Sequence, residues 1–206
     1  MKAFSNLLSD LILTSSRNRK LSLLEHYFSS TPDPDRGYAL AALTGSLNFK
    51  NIKASFFKDL IKEKQDEHLF DLSYDYVGDL AETISLLWDQ EKSGNMPRLS
   101  SLFENLKKAK TDELNNYIIN ILNISTADQR WAFIKLFTGG LRIGVSSRLV
   151  KQALANYGNV DLDEIEKIWH GLHFPYINLF SWLEDKGSKP KISIYDIFHP
   201  MMLAHP

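Results

Sequence analysis

Hydrophobic residues recur at helical spacing along almost the whole chain. Phe4, Leu7, Leu8, Leu11 and Ile12 make one face of an opening helix over residues 4–13. Leu21, Leu23, Leu24, Tyr27 and Phe28 mark a second helix, and Pro32 and Pro34 break the chain after it. A helix with Tyr38, Leu40 and Leu43 ends at Gly45, and the pattern resumes as a helix over residues 50–64 with Phe56, Phe57, Leu60 and Ile61 inward. Residues 69–76 read as a short aromatic stretch. Gly78 and Asp79 open a helix with Leu80, Thr83, Ile84, Leu87 and Trp88 on its inner face. The break at residues 93–97 precedes helices over 99–109 and 112–124. Two closing helices follow over 160–171 and 176–186.

One stretch organises the rest. Residues 130–155 read as helix, tight turn, helix. Trp131, Ile134, Leu136 and Phe137 face the first arm inward, Gly139 and Gly140 stop it, and Ser146 or Ser147 caps the second arm. The turn holds three glycines, one arginine and two serines. Glycine lets backbone approach a ligand closely, a helix start favours an anion, and Arg142 can fork onto phosphate oxygens. Arg148 and Lys151 lie in the first turns of the second helix. A bare Gly-Gly turn is also an ordinary helix stop.

A related copy lies upstream, at residues 36–50. It matches Arg36 with Arg130, Thr44 with Thr138, Gly45 with Gly139 and Leu47 with Leu141. A Ser-Thr pair and an aspartate precede both copies. The chain therefore reads as two pseudo-symmetric helical halves, roughly 1–93 and 98–190. The fold expected is all-α, one compact multi-helix domain over residues 1–190 with about ten to twelve helices and no significant sheet. Residues 191–206 follow as a linker.

Thr-Gly-Gly-Leu-Arg-Ile-Gly-Val-Ser (138–146) resembles the signature of the N-terminal DNA-binding domain of ATP-dependent DNA ligases. Residues 35–45, 72–83 and 199–206 resemble segments of the same family, in a bacterial branch, and in the same order. The resemblance implies sequence-independent binding of nicked duplex DNA through minor-groove phosphate contacts, in repair, replication or recombination. It points to Gly139, Gly140, Arg142, Gly144, Ser146, Ser147, Arg148 and Lys151, and in the first copy to Thr44, Gly45, Ser46, Asn48, Lys50 and Lys53. It also points to Gly78. The first copy departs from the second, since Asn48 replaces the arginine and Lys50 the third glycine. The ending resembles the family's connector into a nucleotidyltransferase domain, so the chain is expected to be a fragment of a longer ligase.

Composition narrows the chemistry. There is no cysteine, which excludes disulfides and thiolate sites. The formal net charge is −1, so a DNA-binding face must be segregated from acidic helices, and affinity should be modest and salt-sensitive. The family's Lys-x-Asp-Gly nucleophile motif does not occur, and neither a P-loop nor a Gly-x-Ser-x-Gly elbow is present. No catalytic residue or metal site is expected, and the chain should be inactive alone. ATP and Mg would be needed only by the full-length ligase. The partners implied are nicked double-stranded DNA and the protein's own C-terminal catalytic domains, with no membrane, a monomeric state, and a cytoplasmic, nucleoid-associated location. The alternative reading is a helical protein-interaction scaffold without DNA binding. The basic run 17–20 reads as a solvated connector or a phosphate contact. Asp79 with Glu82, and His170 with His173, read as helix-terminus residues ahead of metal ligands.

Overall fold

The computed structural model describes residues 1–47, 52–89, 94–138, 141 and 143–191. Among them the chain forms twelve α-helices, and no strand occurs. They are α1 (Lys2–Ile12), α2 (Arg17–Ser30), α3 (Asp35–Leu43), α4 (Ala54–Lys62), α5 (Glu67–Val77) and α6 (Leu80–Leu87). Then come α7 (Leu99–Lys108), α8 (Thr111–Ile124), α9 (Ala127–Lys135), α10 (Ser147–Tyr157), α11 (Leu162–Ile168) and α12 (Ile177–Leu183), with a 3₁₀ turn at Trp169–Gly171. The all-α fold expected from the pattern is the fold observed.

The repeat extends beyond the two glycine bends. Phe4, Ser5, Leu7, Leu8 and Leu11 are buried in α1. At one constant offset, Leu99, Ser100, Leu102, Phe103 and Leu106 are buried in α7. α2 and α8 have 14 residues each, and α3 and α9 have 9 each, so the repeat continues through the first three helices of each set. The two sets do not pack as separate lobes. α1 lies on α9, α7 lies on α3, and α6 lies on α9, so each set lends helices to the other. One hydrophobic cluster runs through both sets.

Two buried arginines fasten this exchange. Arg130, 2% exposed, stands near the start of α9. Its Nε donates to the Leu122 carbonyl at 3.0 Å and its Nη2 to Ser125 O at 2.8 Å, both at the C-terminal end of α8. Its Nη1 donates to Ser85 O at 2.6 Å and Trp88 O at 2.5 Å, at the end of α6. The last carbonyls of a helix have no intrahelical partner and carry its negative dipole end, so one guanidinium closes two helix ends at once. Arg36, the matching residue, donates to Phe28 O at the end of α2 at 3.2 Å. It also pairs with Asp33 and with Glu184, the C-cap of α12, and lies 4.2 Å over the Phe180 ring. Each set's arginine thus holds the other set's last helix. Sequence comparison aligned the two arginines, and the structure gives them one job.

Asp35, at the first position of α3, ties that helix to the start of α7. It accepts from the Ser100 amide at 3.1 Å, from the Ser100 hydroxyl, and from Arg98 Nε at 3.1 Å. Burial works to raise its pKa, but these donors hold the carboxyl below its ordinary value.

Three elements differ from the sequence reading. Residues 69–76 belong to a full helix, α5, stopped by Gly78 at φ +73°. Only Phe70 is buried there, while Leu69, Leu72 and Tyr76 face solvent, so its apolar residues do not trace a core stripe. Tyr176 is not helical. It sits at φ +65° ahead of α12, and its amide donates to His173 O at 2.8 Å. The helix expected over 160–171 is α11 followed by the 3₁₀ turn.

Candidate nucleic-acid interface

The two helices most extensively packed on each other across the sets are α2 and α10, and they run parallel. Lys20 Nζ donates to Gly144 O at 2.7 Å near their N-terminal ends. Asn156 Nδ2 donates to Glu25 Oε1 at 2.7 Å further along. Their positive dipole ends therefore lie side by side. Each start is capped by serine. Ser16 Oγ accepts from the Arg19 amide at 3.3 Å, and Ser146 Oγ from the Leu149 amide at 3.2 Å. Of the two serines considered, Ser146 is the cap and Ser147 is the first helical residue. Such a cap satisfies the third amide of a helix and leaves the first two without an intrahelical partner.

Two adjoining hollows open at this double start. One, of about 220 Å³, is lined by Arg17, Ser146, Arg148, Leu149, Gln152 and Leu162. The other, of about 650 Å³, includes Ser15, Arg17, Lys20, Gly144 and Ser146. No carboxylate lines either one. Arg17 and Arg148 are exposed, so their guanidinium groups are available to an anion held over the amides. Lys20 is buried and acts as a strap, holding the bend against α2. Gly144 has φ +66°, and a Cβ there would lie 2.7 Å from Lys20 Nζ. The backbone shape therefore favours glycine, and a side chain there would push the Lys20 ammonium aside.

The first bend is built differently. Gly45, at φ +72° and exposed, ends α3. The amides of Ser46 and Leu47 donate to Ala41 O at 2.9 and 3.2 Å, so they close the helix and are not offered outward. Thr44 Oγ1 bonds Leu40 O at 2.8 Å and lies 3.2 Å from Ser46 Oγ, which leaves two hydroxyls at the surface of this bend. Lys53 is exposed at the N-cap of α4. One aromatic cluster links the bends: Phe57 of α4 packs on Phe133 and Phe137, with ring centroids 6.4 and 5.8 Å away, in the arm that enters the second bend.

The other expected residues fall as follows. Lys151 Nζ lies 4.8 Å from the Trp169 ring centroid, a cation–π contact on the flank of α10. Gly78 is the left-handed stop of α5, and its amide donates to Tyr74 O at 2.8 Å. Asp79 caps α6 through the Glu82 amide at 3.0 Å and pairs with Lys135 at the end of α9. Burial opposes ionisation of Asp79, yet Lys135 and the Glu82 amide hold its pKa below the ordinary value. Among the described residues no group of three potential ligands could hold a metal. Gly139, Gly140, Arg142, Asn48 and Lys50 lie outside the described residues.

Arg17, Lys20 and the start of α2 were not among the residues singled out for binding. The basic run 17–20 was the available signal. Its weight comes only from α10, brought beside it from the far half of the chain.

The fold is an all-α domain whose paired helix starts present Arg17 and Arg148 at an open surface. A family model described as "DNA ligase N terminus" matches residues 1–155. The chain belongs to that family, the N-terminal domain of ATP-dependent DNA ligases. The match runs from α1 almost to the end of α10, so it includes every residue named at the double start except Leu162. No curated protein matches the chain.

Proposed function

We propose that this domain binds nicked duplex DNA without sequence preference, gripping sugar–phosphate backbone across the minor groove. It would do so as the DNA-holding part of an ATP-dependent ligase in repair or replication. The observation that carries the reading is the paired start of α2 and α10, ringed by Arg17 and Arg148 and free of lining carboxylates. Helix starts and guanidinium groups favour phosphate, and such contacts position a duplex without reading bases. The exposed Ser46 hydroxyl of the first bend and Lys53 supply a second, weaker hold. Adenylation and joining fall to catalytic domains of the parent enzyme, since the Lys-x-Asp-Gly motif is absent from these 206 residues.

The test is fluorescence anisotropy with a labelled nicked duplex at several salt concentrations. Each phosphate neutralised by a cation contributes about −0.9 to the log–log salt slope. Arg17→Ala and Arg148→Ala should each weaken binding by about 1–3 kcal/mol. Each should also make the slope shallower by about one unit, equally for unrelated sequences. Unchanged affinity and slope in the double variant would remove the double start from the interface.

A further inference from the structure

A groove of about 350 Å³ lies between the end of α1, the outer face of α6 and the first turn of α9. Ile12, Leu13, Leu86 and Trp131 form its apolar wall, and Glu82 and Asp128 its rim. Leu13 is 83% exposed and Leu86 65%, so this is an open apolar surface. No cation lines it. Among the described residues neither rim acid belongs to an ion pair.

The internal repeat supplies a comparison within the same molecule. At the offset that superposes α1 on α7, Ile12 and Leu13 correspond to Lys107 and Lys108, both solvated. At the offset that pairs Arg130 with Arg36, Trp131 corresponds to Gly37. Over Gly37 the chain covers itself. A Cβ there would lie 1.8 Å from Pro175 O, and the Phe174 ring stands edge-on to Tyr38 at 4.6 Å. That cover comes from the long connection between the 3₁₀ turn and α12. In the first set, α5 and α6 are joined only by Gly78 and Asp79, too short a link to reach the corresponding place. At one twin a phenylalanine–proline segment of the chain lies over the start of the helix. The other is open, apolar and acid-rimmed.

We propose that the open groove docks a linear segment of a partner protein, with an aromatic or aliphatic anchor flanked by lysine or arginine. The apolar wall suits an aromatic or aliphatic side chain, and the rim acids select basic flanks. The groove admits only a few side chains. A globular face of ordinary stability buries about 800 Å² per partner, so a short segment fits better than a second folded surface. The same acids repel a phosphate backbone, which separates this surface from the cationic double start.

The full chain, panned against phage-displayed random short peptides, tests the proposal. The peptides recovered should share an aromatic or aliphatic anchor beside basic residues. The best one, synthesised and titrated, should bind Leu86→Asp, Leu13→Asp and Asp128→Lys at least about tenfold more weakly than the parent. Both leucines are exposed, and unchanged thermal melting of these variants keeps a folding defect apart from a binding defect. Recovery of peptides without basic residues, or with affinity indifferent to Leu86→Asp, overturns the proposal. Sedimentation showing a dimer that Leu13→Asp abolishes would assign the groove to a second copy of the chain, and overturns it equally.

Discussion

Arg130→Met is the most informative perturbation of the fold. The guanidinium is almost wholly buried, and its five-donor fork serves four carbonyls at the ends of α6 and α8. A hydrogen bond to a charged group is worth about 1.5–3 kcal/mol net, so four would suggest a gross loss of about 6–12 kcal/mol. Methionine also removes the several kcal/mol needed to bury a cation, and it fills part of the volume. The difference leaves about 3–5 kcal/mol of destabilisation, comparable with breaking a buried ion pair. For a domain of this size that lowers Tm by about 6–20 °C. Arg130→Lys keeps the charge but cannot span four carbonyls with one ammonium, so its loss should be about half as large. Urea denaturation followed by circular dichroism reads both variants. A loss below about 1 kcal/mol for Arg130→Met would refute the idea that this side chain closes two helix ends.

Other substitutions and conditions test the remaining structure. Gly37→Ala forces a methyl group onto the Pro175 carbonyl and should cost about 1–3 kcal/mol or more, measured by the same denaturation. Gly144→Ala combines positive φ with displacement of Lys20 and should cost about 1–3 kcal/mol, while also weakening DNA binding by loosening the bend. Hydrogen bonding from Arg36, Lys186 and Tyr157 outweighs burial and takes the Glu184 pKa from about 4.5 down to about 2. A depressed carboxyl stabilises the fold above its unfolded pKa, and that contribution disappears as pH falls through the folded value. The denaturation midpoint should therefore drop between pH 4.5 and 2, with Asp35 and Asp79 adding in the same direction. Glu184→Gln should flatten part of that drop.

The helix ends were legible because their chemistry is local. Gly45 takes the positive φ expected of a glycine that stops a helix, and Ser146 and Asp79 accept amides at the helix starts where the sequence places them. α5 was underread because Leu69, Leu72 and Tyr76 face water, so apolar spacing there does not mark burial. The aligned arginines showed a repeat, but spacing could not say that both are buried or that each reaches into the other set of helices. The cationic hollow was half visible. Ser146 and Arg148 stood out, while Arg17 and Lys20 acquire meaning only once α2 lies along α10. Such pairing is a tertiary fact, set by packing between distant segments.

The most direct measurement is a titration of ¹⁵N-labelled chain with a nicked duplex, following backbone amide shifts by NMR. If phosphate sits over the paired starts of α2 and α10, the largest shifts fall together at residues 17–19 and 147–149, and they shrink as salt is raised. Shifts concentrated elsewhere, with both helix starts unmoved at saturating DNA, would contradict the account.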